Sequence, residues 1–533
     1  MGPEAQTIPQ LIAQRRREDA DVQAVVSDDR VITYAELDVD SRAIAARLVA
    51  AGATKAARVG LMMPNGIGWA TVALAVMRTG ATLVPLSTLL RPPELLAQIG
   101  TAAVTELFMV PSFRDRDYLQ DLEAIAPGVR ALGSDAPRNR TLPSLRHVWT
   151  MDDLPVSAAS DGLVDAMEQK VRPADDMAIM FTSGSRGVPK GVIHTHGNAL
   201  RATRAGLDSR CVRKGSRLYI PMPFFWMGGF GGGLLSALAA GATLLTETIP
   251  EPARTIRFLE RERVTLFRGW PDQAARIAAH PSFPDADLSS LSPGSLDAVL
   301  PRAQRPEPGA RATLFGMTES FGPYCGARLD VDLPASEHGS CGRAFSGVEV
   351  RITDLEGGSA VEPGMTGQIE LRGPNLMSGI CGRARPDVFS VEGFYQTGDL
   401  GTLDAEGYLR YEGRLDDMLK VRGATVYPIE VEAGVRAIPG VERVYVTNVV
   451  DDDGRECVAA AVVGAACPDL ASLIREARDR LSSFKVPTVW LVMRHLDEVP
   501  MSPTGKVDKV ALQDLLRTRG VSARSLQEGR GRA

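Results

Sequence analysis

Arg58-Val59-Gly60-Leu61-Met62-Met63-Pro64-Asn65-Gly66 decides the fold: an apolar run of strand length that ends in a turn. Helical apolar spacing follows over 69–78, and Ala81-Thr82-Leu83-Val84-Pro85-Leu86 is a second strand-like run. Strand, helix, strand at this spacing is a βαβ unit, whose strands lie parallel and are covered by the connecting helix. Further strand-like runs fall at 106–110, 217–221 and 242–245, with helical spacing before the last. The predicted class is α/β, with mostly parallel sheets covered by helices. From about residue 340 the texture changes to short alternating runs such as Val348-Glu349-Val350-Arg351-Ile352 and Gln368-Ile369-Glu370-Leu371-Arg372, which predict a small β-rich subdomain over about 340–413. A charged turn, Gly413-Arg414-Leu415-Asp416-Asp417, then opens a compact α+β pattern. The expected division is a large domain over 1–413, a small C-terminal domain over 414–516, and a tail over 517–533 rich in Arg, Gly and Ser.

Length and composition narrow the function. A chain of 533 residues exceeds what one hydrophobic core usually serves, and 44% hydrophobic content supports a fully globular protein. A net charge of −5 with interspersed signs gives no reason to expect nucleic acid or an anionic membrane as partner. Six cysteines without a CxxC pair argue against a zinc site and against a disulfide framework, so a reducing cytoplasm is expected. The start of the chain lacks the charged-then-apolar order of a secretory signal. Residues 228–245 are uncharged, but six of the eighteen are glycine; a buried helix followed by a buried strand is expected there, not a membrane span.

Chemistry concentrates in a few segments. Thr182-Ser183-Gly184-Ser185-Arg186-Gly187-Val188-Pro189-Lys190-Gly191 packs hydroxyls, glycines and a lysine behind an apolar run. Such a loop turns backbone N–H groups toward an anion and suits a triphosphate, although its spacing is not that of the common P-loop. Leu314-Phe315-Gly316-Met317-Thr318-Glu319 is an apolar strand end that delivers an aromatic face, a hydroxyl and a carboxylate; the face suits a base and the carboxylate a hard cation such as Mg²⁺. Tyr395-Gln396-Thr397-Gly398-Asp399-Leu400-Gly401 sets an aspartate in a tight glycine turn, where it can accept both ribose hydroxyls or simply close an Asx turn. Arg414 and Asp416 sit at the proposed boundary, where the arginine can reach sugar or phosphate oxygens or form a surface ion pair. Lys506 follows Ser502-Pro503-Thr504-Gly505, and Leu419-Lys420-Val421-Arg422-Gly423 runs from a basic strand toward a helix. Phe224-Phe225-Trp226-Met227-Gly228-Gly229-Phe230 is either ordinary core or the wall of an apolar cavity.

Taken in this order, with Val31-Ile32-Thr33-Tyr34-Ala35-Glu36-Leu37 at one end and Ser502-Pro503-Thr504-Gly505-Lys506 at the other, these segments resemble the adenylate-forming superfamily of acyl-CoA synthetases, nonribosomal peptide adenylation domains and luciferases. The resemblance implies that loop 182–191 (Thr182, Ser183, Gly184, Ser185, Arg186, Gly187 and Lys190 among its residues) holds the β- and γ-phosphates of ATP. It further implies that Phe315 and Gly316 lie against the nucleotide, Thr318 contacts the α-phosphate, Glu319 binds Mg²⁺, and Asp399 and Arg414 hold the ribose. Lys506 would bridge the attacking carboxylate and the α-phosphate. The small domain would then rotate about Asp416, bringing Gly423 to the pantetheine arm of CoA.

The departures from the family pattern also inform. Arg186 and Trp226 replace the usual small hydroxyl residue and histidine, and Leu291-Ser292-Pro293-Gly294-Ser295-Leu296 matches poorly the glycine-rich segment that precedes the Phe315 element. Phe225-Trp226-Met227-Gly228-Gly229 offers no acid to hold a substrate ammonium, which favours a non-amino acid: fatty, alicyclic or aryl. Trp226, Met227, Gly228, Phe230 and Trp270 are the expected pocket. The leading reading is an ATP-dependent ligase of such a small-molecule carboxylic acid with CoA. The alternatives are transfer to an amine or a carrier protein, and a catalytically silent homologue that only binds nucleotide or acyl ligand.

Overall fold

The computed structural model describes residues 4–28, 30–132, 138–154, 159–182, 190–355, 358–415, 419–421, 424–426, 428–451, 454–501 and 507–523. They form two compact units. One takes in residues up to 88, 98–181 and 191–413; the other takes in 89–97, the described ends of 182–190, and 414 onward.

In the first unit the βαβ passage forms strands Arg58–Met62 and Thr82–Pro85, paired in parallel, with helix Ile67–Arg78 between them. That helix is apolar on nearly every side and accordingly buried on nearly every side, with Trp69 only 1% exposed. The strands belong to a seven-stranded sheet in the order Gly379–Ile380, Lys190–Thr195, Asp176–Thr182, Thr82–Pro85, Arg58–Met62, Glu106–Met109, His147–Trp149. A five-stranded sheet runs Leu266–Phe267, Arg217–Tyr219, Thr243–Thr246, Gln23–Ser27, Arg30–Thr33, parallel except at its last pair. The α/β reading is therefore correct, and the fold is mixed at the sheet edges.

The glycine-rich run at 228–245 forms the short helical turns Met227–Gly229, Phe230–Leu235 and Ser236–Ala240, then strand Thr243–Thr246, largely buried. No helix among the described residues is long and apolar enough to cross a membrane. The β-rich part contains a four-stranded sheet, Glu349–Thr353, Gly367–Arg372, Tyr395–Leu403, Leu409–Arg414, and a three-stranded one, Phe315–Met317, Gly322–Gly326, Arg343–Ala344. Ile352, Ile369, Leu371, Tyr395 and Leu409 share a core with Tyr324 and Val192, which joins these sheets to the seven-stranded one.

In the second unit, strands Arg443–Val450, Glu456–Val463, Val489–Met493 and Val521–Ser522 form one sheet. Alternation sends Val444, Val446, Val458, Ala460 and Val462 to one face, against Val431, Val435, Leu473 and Ala477. Val449, Cys457, Ala459 and Ala461 go to the other, against Leu512 and Leu516 of helix Lys509–Arg519. Lys485, with 8% of its side chain exposed, lies between Glu94 at 3.1 Å and Glu430 at 2.5 Å, and Ser482 also donates to Glu94.

Candidate active site

Strand Phe315–Met317 ends in the short 3₁₀ turn Thr318–Ser320, and the chain returns as strand Gly322–Gly326. The two strands approach so closely that a β-carbon on Gly316 would lie 2.2 Å from the Gly322 oxygen, so only glycine fits there. Phe321 closes the turn with φ of +55°, an uncommon conformation for a bulky residue. Its ring is fixed edge-on by His194 at 4.8 Å and Phe230 at 5.9 Å.

The turn is tied down at three points. His194 Nε2 donates to the Thr318 main-chain oxygen at 2.9 Å. Met377 N donates to the Glu319 main-chain oxygen at 2.8 Å, and the Tyr395 hydroxyl donates to Glu319 Oε1 at 3.0 Å. Glu319 is only 5% exposed: a positioned, buried carboxylate and not a solvated loop residue.

The imidazole is itself oriented from the next helix. His196–Ala205 starts with a capping box, in which Thr195 Oγ1 accepts from Asn198 N at 3.2 Å and Asn198 Oδ1 accepts from Thr195 N at 2.6 Å. The amide nitrogen of Asn198 is then free to donate to His194 Nδ1 at 2.9 Å and to the Asn375 oxygen at 3.2 Å. With Nδ1 accepting, His194 is neutral and carries its proton on Nε2. Burial holds its pKa down to about 4, against the opposing pull of the Thr318 hydrogen bond and the Glu319 charge.

Asp399 does not lie in a tight turn, as its glycines suggested, but inside the nine-residue strand Tyr395–Leu403. The physical reason is an irregular register: Gln368 pairs with Leu400 but Glu370 pairs with Gln396, so the extra residues bulge out of the ladder. Gly398, with φ of +76°, makes the bulge, and Thr397 closes it by donating to the Ile369 oxygen at 2.7 Å while accepting from Asp399 N at 3.0 Å. Asp399 is 6% exposed. The hydroxyl of the buried Tyr324 has no hydrogen-bond partner among the described residues; burial first, and the nearby Asp399 charge second, keep it protonated. The Tyr324 ring meets Phe315 edge-on at 5.6 Å, and Tyr411 lies at 4.9 Å from the same phenyl ring.

The structure therefore brings Phe315, Gly316, Thr318 and Glu319 into one hairpin and buries Asp399 on the adjoining sheet. Thr182 closes one strand and Lys190 opens the next. Trp226 packs edge-on against Trp270 at 5.6 Å; Met227 and Gly228 are half-buried, and Phe230 is fully buried against Trp69 and Phe321. Arg414 ends the strand Leu409–Arg414. Ser183, Gly184, Ser185, Arg186, Gly187, Asp416, Gly423 and Lys506 lie outside the described residues. Sequence reasoning passed over His194, Asn198 and Tyr395 as functional groups. The Thr195-x-x-Asn198 spacing was a readable signal for the cap, but nothing local to Tyr395 points to Glu319, 76 residues away.

The sequence profile of the family described as AMP-binding enzyme matches residues 12–381. A methyl-dioxo-octahydro-indenyl-propanoyl:CoA ligase of Mycobacterium tuberculosis is 32% identical over 96% of this chain and 99% of its own length. A feruloyl-CoA synthase of Amycolatopsis is 31% identical over 93% of this chain and 96% of its own. Among solved structures, an amide bond synthetase from Marinactinospora thermotolerans superposes with a TM-score of 0.74 at 27% identity, over 94% of this chain and 99% of that one.

Proposed function

The chain belongs to the AMP-binding enzyme family, and from that premise we propose that it is an AMP-forming acid–thiol ligase, which activates a non-amino carboxylic acid with ATP and passes the acyl group to CoA. The observation that carries the reading is the Thr318–Glu319 turn, whose buried carboxylate accepts from Tyr395 and whose main-chain oxygens are held by Met377 and His194, beside an aromatic hairpin. Its relatives' activities support the same chemistry, since both CoA-linked relatives above match along nearly their whole length.

In the first half-reaction a carboxylate oxygen of the acid attacks the α-phosphorus of ATP, the bond to the β-phosphate breaks, and pyrophosphate leaves with the electron pair. In the second, the CoA thiolate attacks the acyl carbon and AMP leaves, the thiol proton passing to solvent. Two anions must meet in the first step, so the site has to offset their repulsion and the charge of the transition state. Glu319, already desolvated and oriented, fits an oxygen ligand for Mg²⁺; one or two carboxylates plus substrate phosphates is the usual donor set of that ion, which supplies electrostatic stabilisation of the phosphates. Thr318 would donate to the α-phosphate, loop 182–191 would cradle the outer phosphates, Asp399 and Arg414 would hold the ribose, and Lys506 would neutralise charge between carboxylate and phosphate. Phe315, fixed by Tyr324 and Tyr411, offers a flat face for the base. We further place the pivot between half-reactions at Asp416.

The test is a panel of carboxylic acids with ATP and Mg²⁺, scoring pyrophosphate release with and without CoA and identifying products by mass. Acid-dependent release giving an acyl-CoA is the expected result. Release that ignores CoA and gives an amide when amines are added would move the assignment to amide synthesis.

A further inference from the structure

Arg268 follows strand Leu266–Phe267 and continues its ladder, its N–H donating to the Tyr219 oxygen at 3.0 Å. Side chains alternate along extended backbone, so Arg268 leaves the strand on the side opposite to Phe267, which packs with Tyr219. Trp270, two residues further along the chain, meets Trp226 edge-on at 5.6 Å. Arg268 Nη1 donates to the Gly294 oxygen at 2.7 Å, in the same Leu291–Leu296 segment that departs from the family pattern. Gly294 rests on Cys211, whose Sγ would be 2.8 Å from a β-carbon at that glycine. Cys211 brings with it Arg210, 6% exposed, whose Nη2 donates to the Thr203 oxygen at 2.7 Å and whose Nε is buried without a partner.

The guanidinium of Arg210 is thus buried and that of Arg268 half-buried, near enough for the Arg268 charge to act on Arg210. Burial first, and the Arg268 charge second, bring Arg210 down to about 10; burial likewise brings Arg268 to about 10, so both stay cationic at neutral pH. Neither forms an ion pair with a described acid. Cys211 is held neutral by burial, and Asp330 beside it is already engaged by Arg328 at 2.8 Å and Arg213 at 3.5 Å. Asp297 acts on Arg268 through space but makes no contact with it. Buried charge without a matching counter-charge is strongly unfavourable, and a guanidinium pair is well shaped to receive a carboxylate.

Resting on the reading of Trp226 and Trp270 as the acid pocket, we propose that Arg210 and Arg268 form a subsite for a second carboxylate at the far end of the acid, so that the preferred substrate is a dicarboxylate with an apolar body. One carboxylate is adenylated; the other supplies the missing counter-charge.

Suberate, sebacate and dodecanedioate, each compared with its monomethyl ester, test this in the full-length enzyme. Wild type should favour at least one diacid over its ester by about a hundredfold in kcat/KM, as expected where buried polar groups would otherwise be left unpaired. Arg268→Met should abolish that preference while keeping turnover of the ester, and Arg268→Lys should retain part of it. Should Arg268→Met not fold, Arg268→Lys and Arg210→Lys serve, each being expected to weaken the preference at least tenfold. Calorimetry with the diacid alone, without ATP, separates this inference from the ligase reading: diacid binding lost in the Arg268 variants upholds the subsite even where no acid is turned over. Equal use of diacid and ester by wild type, or a preference unchanged in the Arg268 and Arg210 variants, overturns it.

Discussion

His194 donates from Nε2 to the main-chain oxygen of Thr318 across 2.9 Å, joining a strand of the parallel sheet to the turn that carries Glu319. That bond needs the proton on Nε2, and the Asn198 amide, which donates to Nδ1 from the other side, selects the neutral imidazole in that tautomer.

The pH dependence of stability follows. His194 and His196 are both held down to about 4 from 6.5, burial being the main cause at each. His196 also needs its neutral form, since Nδ1 accepts from Ile8 N at 3.2 Å. Between pH 6.5 and 4 the unfolded chain binds protons that the folded chain refuses, so stability is full above the upper value and falls as pH drops through the window. The loss is on the order of 3 kcal/mol per imidazole. Urea unfolding across this range checks it, with His196→Gln expected to flatten the slope; a level wild-type profile would sink the assignment.

Tyr395→Phe removes the hydroxyl that donates to Glu319. Stability should fall by about 1–2 kcal/mol. Adenylation should slow about tenfold with an increased Mg²⁺ requirement, because the carboxylate loses its orientation. Titrating Mg²⁺ in the pyrophosphate assay measures this, and an unaltered Mg²⁺ dependence would detach Tyr395 from the site.

Lys485 in the second unit is held above its usual pKa: burial pulls it down, but the charges of Glu430 and Glu94 outweigh that pull. Lys485→Met would leave two buried carboxylates facing each other and should cost about 3–5 kcal/mol. Adding Glu430→Gln should recover part of the loss. Chemical denaturation of both variants tests the pairing, and a single variant as stable as wild type would refute it.

Lys506→Ala should lower adenylation at least about a hundredfold, the scale of one removed transition-state donor. Thioester formation from a supplied acyl-adenylate should be largely kept. Parallel loss of both half-reactions would reassign the lysine to folding or to general binding.

Local pattern made much of this molecule readable. The run at 58–86 could only be a βαβ unit, since an apolar helix between two apolar strands has nowhere to go but between layers. The strand end bearing Phe315 and Glu319 was readable too, but not its pairing with Gly322–Gly326 into a hairpin, which depends on residues beyond the motif. Asp399 was recognised but misplaced: a bulge depends on the partner strand's register, and Gln368 to Glu370 are not encoded near Gly398. The support of Glu319 was invisible for the same reason, since Tyr395 and His194 reach it through tertiary packing. Arg210 and Arg268 went unnoticed because an isolated arginine in sequence reads as a surface residue; only the packing around each changes its meaning.

The cap at Thr195 has an implication for how this sequence can diverge. Threonine at a helix start is normally an interchangeable part, and this one is half-buried, the sort of position where drift is tolerated. Here its partner Asn198 uses one end of its amide for the cap and the other for His194, so the cap and the carboxylate-bearing turn draw on a single side chain. Thr195, Asn198 and His194 are thus expected to be inherited as a block, replaced together or not at all among relatives that keep Glu319.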